Sequence, residues 1–166
     1  MRHLVALPLA VGALLVACLA PVGASVAAKP NACKVLKAAE VTRVTGFPAT
    51  KATRQQQGPS DAGICGYTLT DPNSPVRTVS VFVQRSGEQR VTKIGYRTAK
   101  ATFKEQLEPV SGFGKSAFYA GGGLNTLYVL EGDTLLYVQY VAFGDDDPAG
   151  IKADVEDMTK IALARV

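Results

Sequence analysis

Residues 134–143 stay apolar on both faces of an extended chain, Leu136, Val138 and Tyr140 alternating with Leu135, Tyr137 and Val141. A strand of this kind belongs in the middle of a sheet, with helices or a second sheet over both of its faces. The rest of the chain therefore has to supply partner strands on either side and the covering layers.

The partners are legible. Residues 64–70 read as extended, with Cys65, Tyr67 and Leu69 on one face. Asp71-Pro72-Asn73-Ser74-Pro75 is a strong turn signal. The strand predicted over 76–84 sets Val79, Val81 and Val83 against Thr78, Ser80 and Phe82, one face buried and one half wet. Residues 115–120 and 125–130 make two further strands around Gly121-Gly122-Gly123, and Glu131-Gly132-Asp133 turns the chain into 134–143.

Three helices are expected as cover. Val35, Leu36, Val41 and Val44 recur at near-helical spacing up to Gly46 and Phe47-Pro48, which gives a helix over 37–45. A second occupies about 89–106, with Tyr96, Ala99, Phe103 and Leu107 on one side and Gly95 weakening its middle. The third begins with Asp147 as N-cap and Pro148 at the first helical position, has Asp145 and Asp146 near the positive end of its dipole, and carries Ile151, Val155, Met158 and Ala162 as a core stripe. Residues 50–63 are polar, contain Gly58-Pro59-Ser60-Asp61 and read as a long loop. The expected fold is α+β, an antiparallel β-sheet flanked by helices in the order α-β-β-α-β-β-β-α.

The N-terminus places this domain outside the cytoplasm. Arg2 precedes an apolar run from residue 4 to 20, then Pro21, Gly23 and a small-residue cluster, the layout of a signal peptide. Two processing sites compete: Leu15-Val16-Ala17-Cys18 looks like a lipobox that would lipidate Cys18, and Ser25-Val26-Ala27-Ala28 like an ordinary signal-peptidase site. A tether of Leu-Ala-Pro-Val-Gly-Ala-Ser-Val-Ala-Ala would be unusually apolar for a solvated lipoprotein linker, which favours cleavage after Ala28. The division is then a signal peptide over 1–28, a leader over 29–36 and a single α+β domain over 37–166. About 138 residues is enough for one adequate core. Cleavage also removes Arg2 and His3, and the formal charge drops from +4 to +3. The protein is expected to be exported, periplasmic or secreted, and alternatively lipid-anchored to a membrane at Cys18.

With Cys18 in the signal or lipidated, Cys33 and Cys65 remain. In an oxidising compartment they read as one disulfide, closing a loop of about 33 residues; two free buried thiols are the alternative.

Cys33-Lys34-Val35-Leu36, Glu40-Val41, Gly46, Cys65-Gly66-Tyr67, 109–114 (Pro-Val-Ser-Gly-Phe-Gly) and Ala117-Phe118-Tyr119 together resemble a family of uncharacterised bacterial exported proteins and lipoproteins. The resemblance spans essentially the whole mature domain. It implies a PsbP-like α-β-α sandwich and a cysteine bridge tying the first helix to the first strand. Lys37 stands where the family usually has Thr or Ser to cap the first helix. The resemblance brings no catalytic residues.

Composition excludes several chemistries. Without residues 1–28 the chain has neither histidine nor tryptophan, and its two cysteines are expected to be oxidised. Ser-His and Cys-His nucleophiles and His-based metal sites are therefore ruled out; carboxylate pairs and Lys or Ser-Lys chemistry stay formally open. Gly112-Phe113-Gly114-Lys115-Ser116 resembles a phosphate loop, but Pro109 stands where a glycine is required and a strand, not a helix, follows. Turns needing positive φ explain those glycines better. Asp145-Asp146-Asp147 lacks EF-hand spacing, and helix-dipole capping accounts for it without calcium.

Arg90, Lys93, Arg97, Lys100 and Lys104 follow a 3-4-3-4 spacing that draws one positive stripe along the second helix. It would meet lipid head groups, an acidic protein or an envelope polymer; nucleic acid does not fit an extracytoplasmic location. The competing reading is a solvated helix edge with snorkelling stems. The expectation is a non-catalytic cell-envelope domain, without cofactor or metal, that binds a protein or anionic surface partner. Two alternatives stand beside it. One is a carrier of a small apolar ligand, suggested by Tyr128, Tyr137, Tyr140 and Phe143; the other is an inhibitor of a secreted hydrolase presenting loops 53–63 and 111–123.

Overall fold

The computed structural model describes residues 30–51, 62–72, 74–143 and 147–166. The expected signal peptide, Cys18, most of the loop expected over 50–63, Asn73, and Asp145 and Asp146 lie outside these residues. Seven strands form one antiparallel sheet: β1 (Ala49–Lys51), β2 (Ala62–Asp71), β3 (Ser74–Arg85), β4 (Leu107–Pro109), β5 (Ser116–Ala120), β6 (Thr126–Glu131) and β7 (Thr134–Ala142), in the order β1-β2-β3-β7-β6-β5-β4. The doubly apolar strand β7 is fourth of the seven, as its sequence requires.

Helices α1 (Ala32–Val35), α2 (Ala38–Thr45) and α4 (Pro148–Leu163) cover one face, and α3 (Gln89–Thr102) packs on β6 and β7 from the other. Strand pleating sorts the residues. Cys65 and Tyr67 of β2 pair with Val81 and Val79 of β3, Val79, Val81 and Val83 pair with Tyr140, Val138 and Leu136 of β7, and Leu69 lies on the same face of β2. All are buried under α1, α2 and α4 in the larger core, with Ile151, Val155, Met158 and Ala162 as the inward stripe of α4. Asp147 caps α4, its side chain accepting from Ala149 N–H at 3.0 Å, with Pro148 opening the helix.

Four expectations need correction. Residues 32–36 are not leader: α1 buries Ala32 and Val35, Leu36 is fully buried beside them, and Cys33 is bonded to Cys65, so the described domain starts before residue 37. The order gains α1, β1 and β4. These are pieces of three or four residues, too short for a hydrophobic period to register; β4 ends in Pro109, which only an edge strand tolerates. The expected loop from residue 50 begins two residues too early, because Ala49, Thr50 and Lys51 pair with Leu69, Thr68 and Tyr67. The helix expected to residue 106 stops at Thr102, and a 3₁₀ turn over Lys104–Gln106 follows.

At α2 the missing Ser or Thr cap is offset from the other side. Glu40 accepts from Lys37 N–H at 2.9 Å and also pairs with Arg165 beyond α4. The Arg165 hydrogen bond holds the Glu40 carboxyl down at about 2. Arg165 donates as well to Val35 O at 3.0 Å, so one guanidinium joins α1, α2 and the end of α4.

Candidate anionic-partner face

What fixes α3 is a row of aromatic rings on the sheet. The registers Phe82↔Tyr137, Tyr128↔Tyr137 and Phe118↔Tyr128 line these residues up across β3, β7, β6 and β5, with centroids 4.8, 5.3 and 4.8 Å apart. Tyr96 meets Phe118 edge-on at 5.1 Å and Phe103 lies 5.9 Å from Tyr128, so two rings of the helix segment seat on the row. Each such pair contributes about 0.5–1.5 kcal/mol beyond its buried area. Gly95, which weakens the helix in isolation, has a packing reason: a Cβ there would stand 3.1 Å from Leu135 Cδ2. Its absence lets the helix approach the sheet.

With Thr92 and Tyr96 turned inward, the cations line one flank of the helix, Lys93 and Lys100 nearer the sheet and Arg97 and Arg90 further out. At about 100° per residue, Arg90, Lys93, Arg97 and Lys100 fall within an arc of about 80°. Arg90, Arg97 and Lys100 are exposed; Lys93 is half-buried and donates to Gln89 Oε1 at 3.2 Å. The stretch 89–104 contains no Asp or Glu. Lys104 belongs to the 3₁₀ turn rather than to α3, and its nearest acid, Glu105, is 3.4 Å away with both side chains in water. The face is thus four cations on a rigid helix and a fifth on the turn after it.

Two residues of this surface escaped the sequence reading. Ile94 is 53% exposed and Val91 41% exposed. A helical wheel places both outside the Thr92, Tyr96, Ala99 and Phe103 side, a signal that attention to charge alone passes over.

The aromatic residues named for an apolar-ligand carrier do not share a cavity. Tyr128 and Tyr137 are in the packed row, Tyr140 is buried on the opposite face, where its hydroxyl lies 3.2 Å from Arg77 Nη1, and Phe143 is exposed. Two described clefts lie elsewhere. One, of about 440 Å³, is lined by Arg85, Glu131, Gly132, Asp133, Thr134 and Val166; the other, of about 200 Å³, includes Lys34, Arg85 and Arg165. The first sets Glu131 and Asp133 beside Arg85; the second has three cations and no acidic side chain in its lining, but one of the three, Arg165, is already engaged by Glu40. The phosphate-loop lookalike is a turn: Gly112 and Gly114 adopt positive φ, Phe113 is buried in the larger core and Ser116 opens β5.

Another charged cluster sits at the start of β3. Asp71 and Arg77 pair at 2.6 Å, with the guanidinium 4.5 Å from the Phe47 ring centre. Asp154 of α4 is pushed up to about 6, because burial and neighbouring Asp157 outweigh the pull of Arg77. A carboxyl raised in this way opposes folding once it ionises, so this cluster reads as a structural compromise.

No protein-family model matches the chain, and no curated protein matches it significantly.

Proposed function

We propose that this is a non-catalytic, exported cell-envelope domain that binds an anionic partner through the outward side of α3. The observation that carries the reading is the division of labour on that helix. Tyr96 and Phe103 hold it to the sheet, while Arg90, Lys93, Arg97 and Lys100 share one arc along its flank with no acid in the segment. A cationic face held by packing on its other side raises the local concentration of anions without the cost of ordering the helix backbone.

Export rests on the N-terminal layout and is supported by the Cys33–Cys65 bond, which joins α1 to β2 with Cα atoms 5.1 Å apart. Among the described residues no helix is long and apolar enough to cross a membrane. The PsbP-like sandwich is supported by the antiparallel sheet with helices on both faces.

The test is retention on immobilised polyphosphate. The protein should bind at low salt and elute as the Debye length shrinks from about 8 Å at physiological ionic strength to about 3 Å at 1 M. Combining Lys93→Gln, Arg97→Gln and Lys100→Gln should abolish retention and change stability by only about 0–1 kcal/mol, since exposed charges contribute little to folding. Flow-through of the wild-type protein at low salt, or undiminished retention of the triple variant, contradicts the proposal.

A further inference from the structure

The cations of α3 run beside an apolar strip that attraction to a soluble polyanion leaves unused. Taking Arg90 as zero, Ile94 lies about 40° round the helix and Val91 about 100°, with Ala101 between Arg90 and Ile94 and exposed Thr98 between Ile94 and Val91. Ile94 and Val91 are two of the large apolar side chains that the domain leaves in water. The solvent side of α3 therefore has two halves, Arg90, Lys93, Arg97 and Lys100 on one and Ile94 with Val91 on the other. An acidic polymer answers only the first half. A bilayer rich in anionic lipid answers both, with phosphates at the level of the cations and an acyl boundary within reach of branched aliphatic chains.

We propose, resting on the anionic-partner reading above, that the partner is the surface of an anionic lipid bilayer, on which α3 lies in the interfacial plane. Ile94, with Val91 at its side, enters the boundary between head groups and acyl chains, and Arg90 and Arg97, the cations nearest Ile94 round the helix, meet lipid phosphates. The helix is about 21 Å long, so it meets the surface along a line rather than at a point. Because the aromatic row holds α3 in place, the surface needs no coupled folding to form, unlike a free amphipathic peptide.

The chain has no tryptophan, which makes position 94 an unobscured reporter. Emission from an Ile94→Trp variant should shift to the blue on addition of phosphatidylglycerol-rich vesicles and stay unchanged with polyphosphate. In co-sedimentation, Ile94→Ser should lower binding to those vesicles about fivefold or more, because even partial withdrawal of a branched aliphatic side chain from water is worth that factor. The same variant should keep wild-type retention on polyphosphate. Equal vesicle binding by Ile94→Ser and wild type, or no blue shift, overturns the bilayer assignment and leaves the anionic-partner reading intact. Wild type held by polyphosphate but not by vesicles has the same meaning. Wild type held by neither removes both.

Discussion

Replacing both cysteines, Cys33→Ala with Cys65→Ala, is expected to destabilise the domain by about 3–4 kcal/mol, the loop-closure entropy returned to an unfolded chain freed of a crosslink of this span. The bond joins Cys33 of the four-residue helix α1 to Cys65 in the middle of β2. A helix that short has almost no intrinsic stability. Its place on the sheet depends on the bond, on burial of Ala32 and Val35, and on Tyr67, whose hydroxyl donates to Leu36 O. That buried hydroxyl is pushed up to about 12 by desolvation, so it remains a donor throughout the physiological range. Calorimetry should place the melting temperature of the double variant lower by about 10 °C or more. The wild-type protein under a strong reductant should move by a similar amount. Two alkylatable thiols in the native protein, or an unchanged melting temperature after reduction, would remove the bond from the account.

The second large effect is expected at the start of β3. Asp71 and Arg77 keep only 3% and 13% of their side-chain surface exposed, and Arg77 also lies against Phe47. Asp71→Ala takes the principal counter-charge from a nearly buried guanidinium, a class of change that costs about 3–5 kcal/mol. The remaining pull of Asp154 and the contact with Tyr140 place the expectation at the lower end of that range. Adding Arg77→Met to Asp71→Ala should recover a large part of the loss, because the poorly compensated charge is removed and an apolar side chain takes its place beside Phe47. Urea denaturation of the two variants decides it. If Asp71→Ala alone unfolds at the wild-type midpoint, the pair is not a determinant of stability.

Some of this architecture is written locally in the chain and some is not. Helix α4 is read in full because all of its signals are local: Asp147 and Pro148 mark the start, and Ile151, Val155, Met158 and Ala162 keep one period. The central place of β7 follows from its own two apolar faces. By contrast, α1, β1 and β4 exist because of what they meet, a disulfide, the outer edge of β2 and the outer edge of β5, and three or four residues cannot announce that.

The candidate face divides in the same way. The spacing of Arg90, Lys93, Arg97 and Lys100 is visible in the sequence, whereas the seat that turns them outward depends on the pairing register. Phe82, Phe118, Tyr128 and Tyr137 come from four strands, and a slip of one residue in any pairing would send a ring to the opposite face. The end of α3 at Thr102 is not legible for a related reason: Phe103 is directed to Tyr128 at the point where the helix tightens, a tertiary contact that helical spacing does not encode.

The central claim is that one face of one helix meets the anion, and residue-resolved NMR on the isotope-labelled protein tests it most directly. Titration with short-chain polyphosphate at low salt should move the amide and side-chain signals of Arg90, Lys93, Arg97 and Lys100, and leave Lys34, Arg85 and Arg165 at the clefts still. Perturbations centred on Lys34, Arg85 and Arg165, or spread evenly over every exposed cation, would contradict the account.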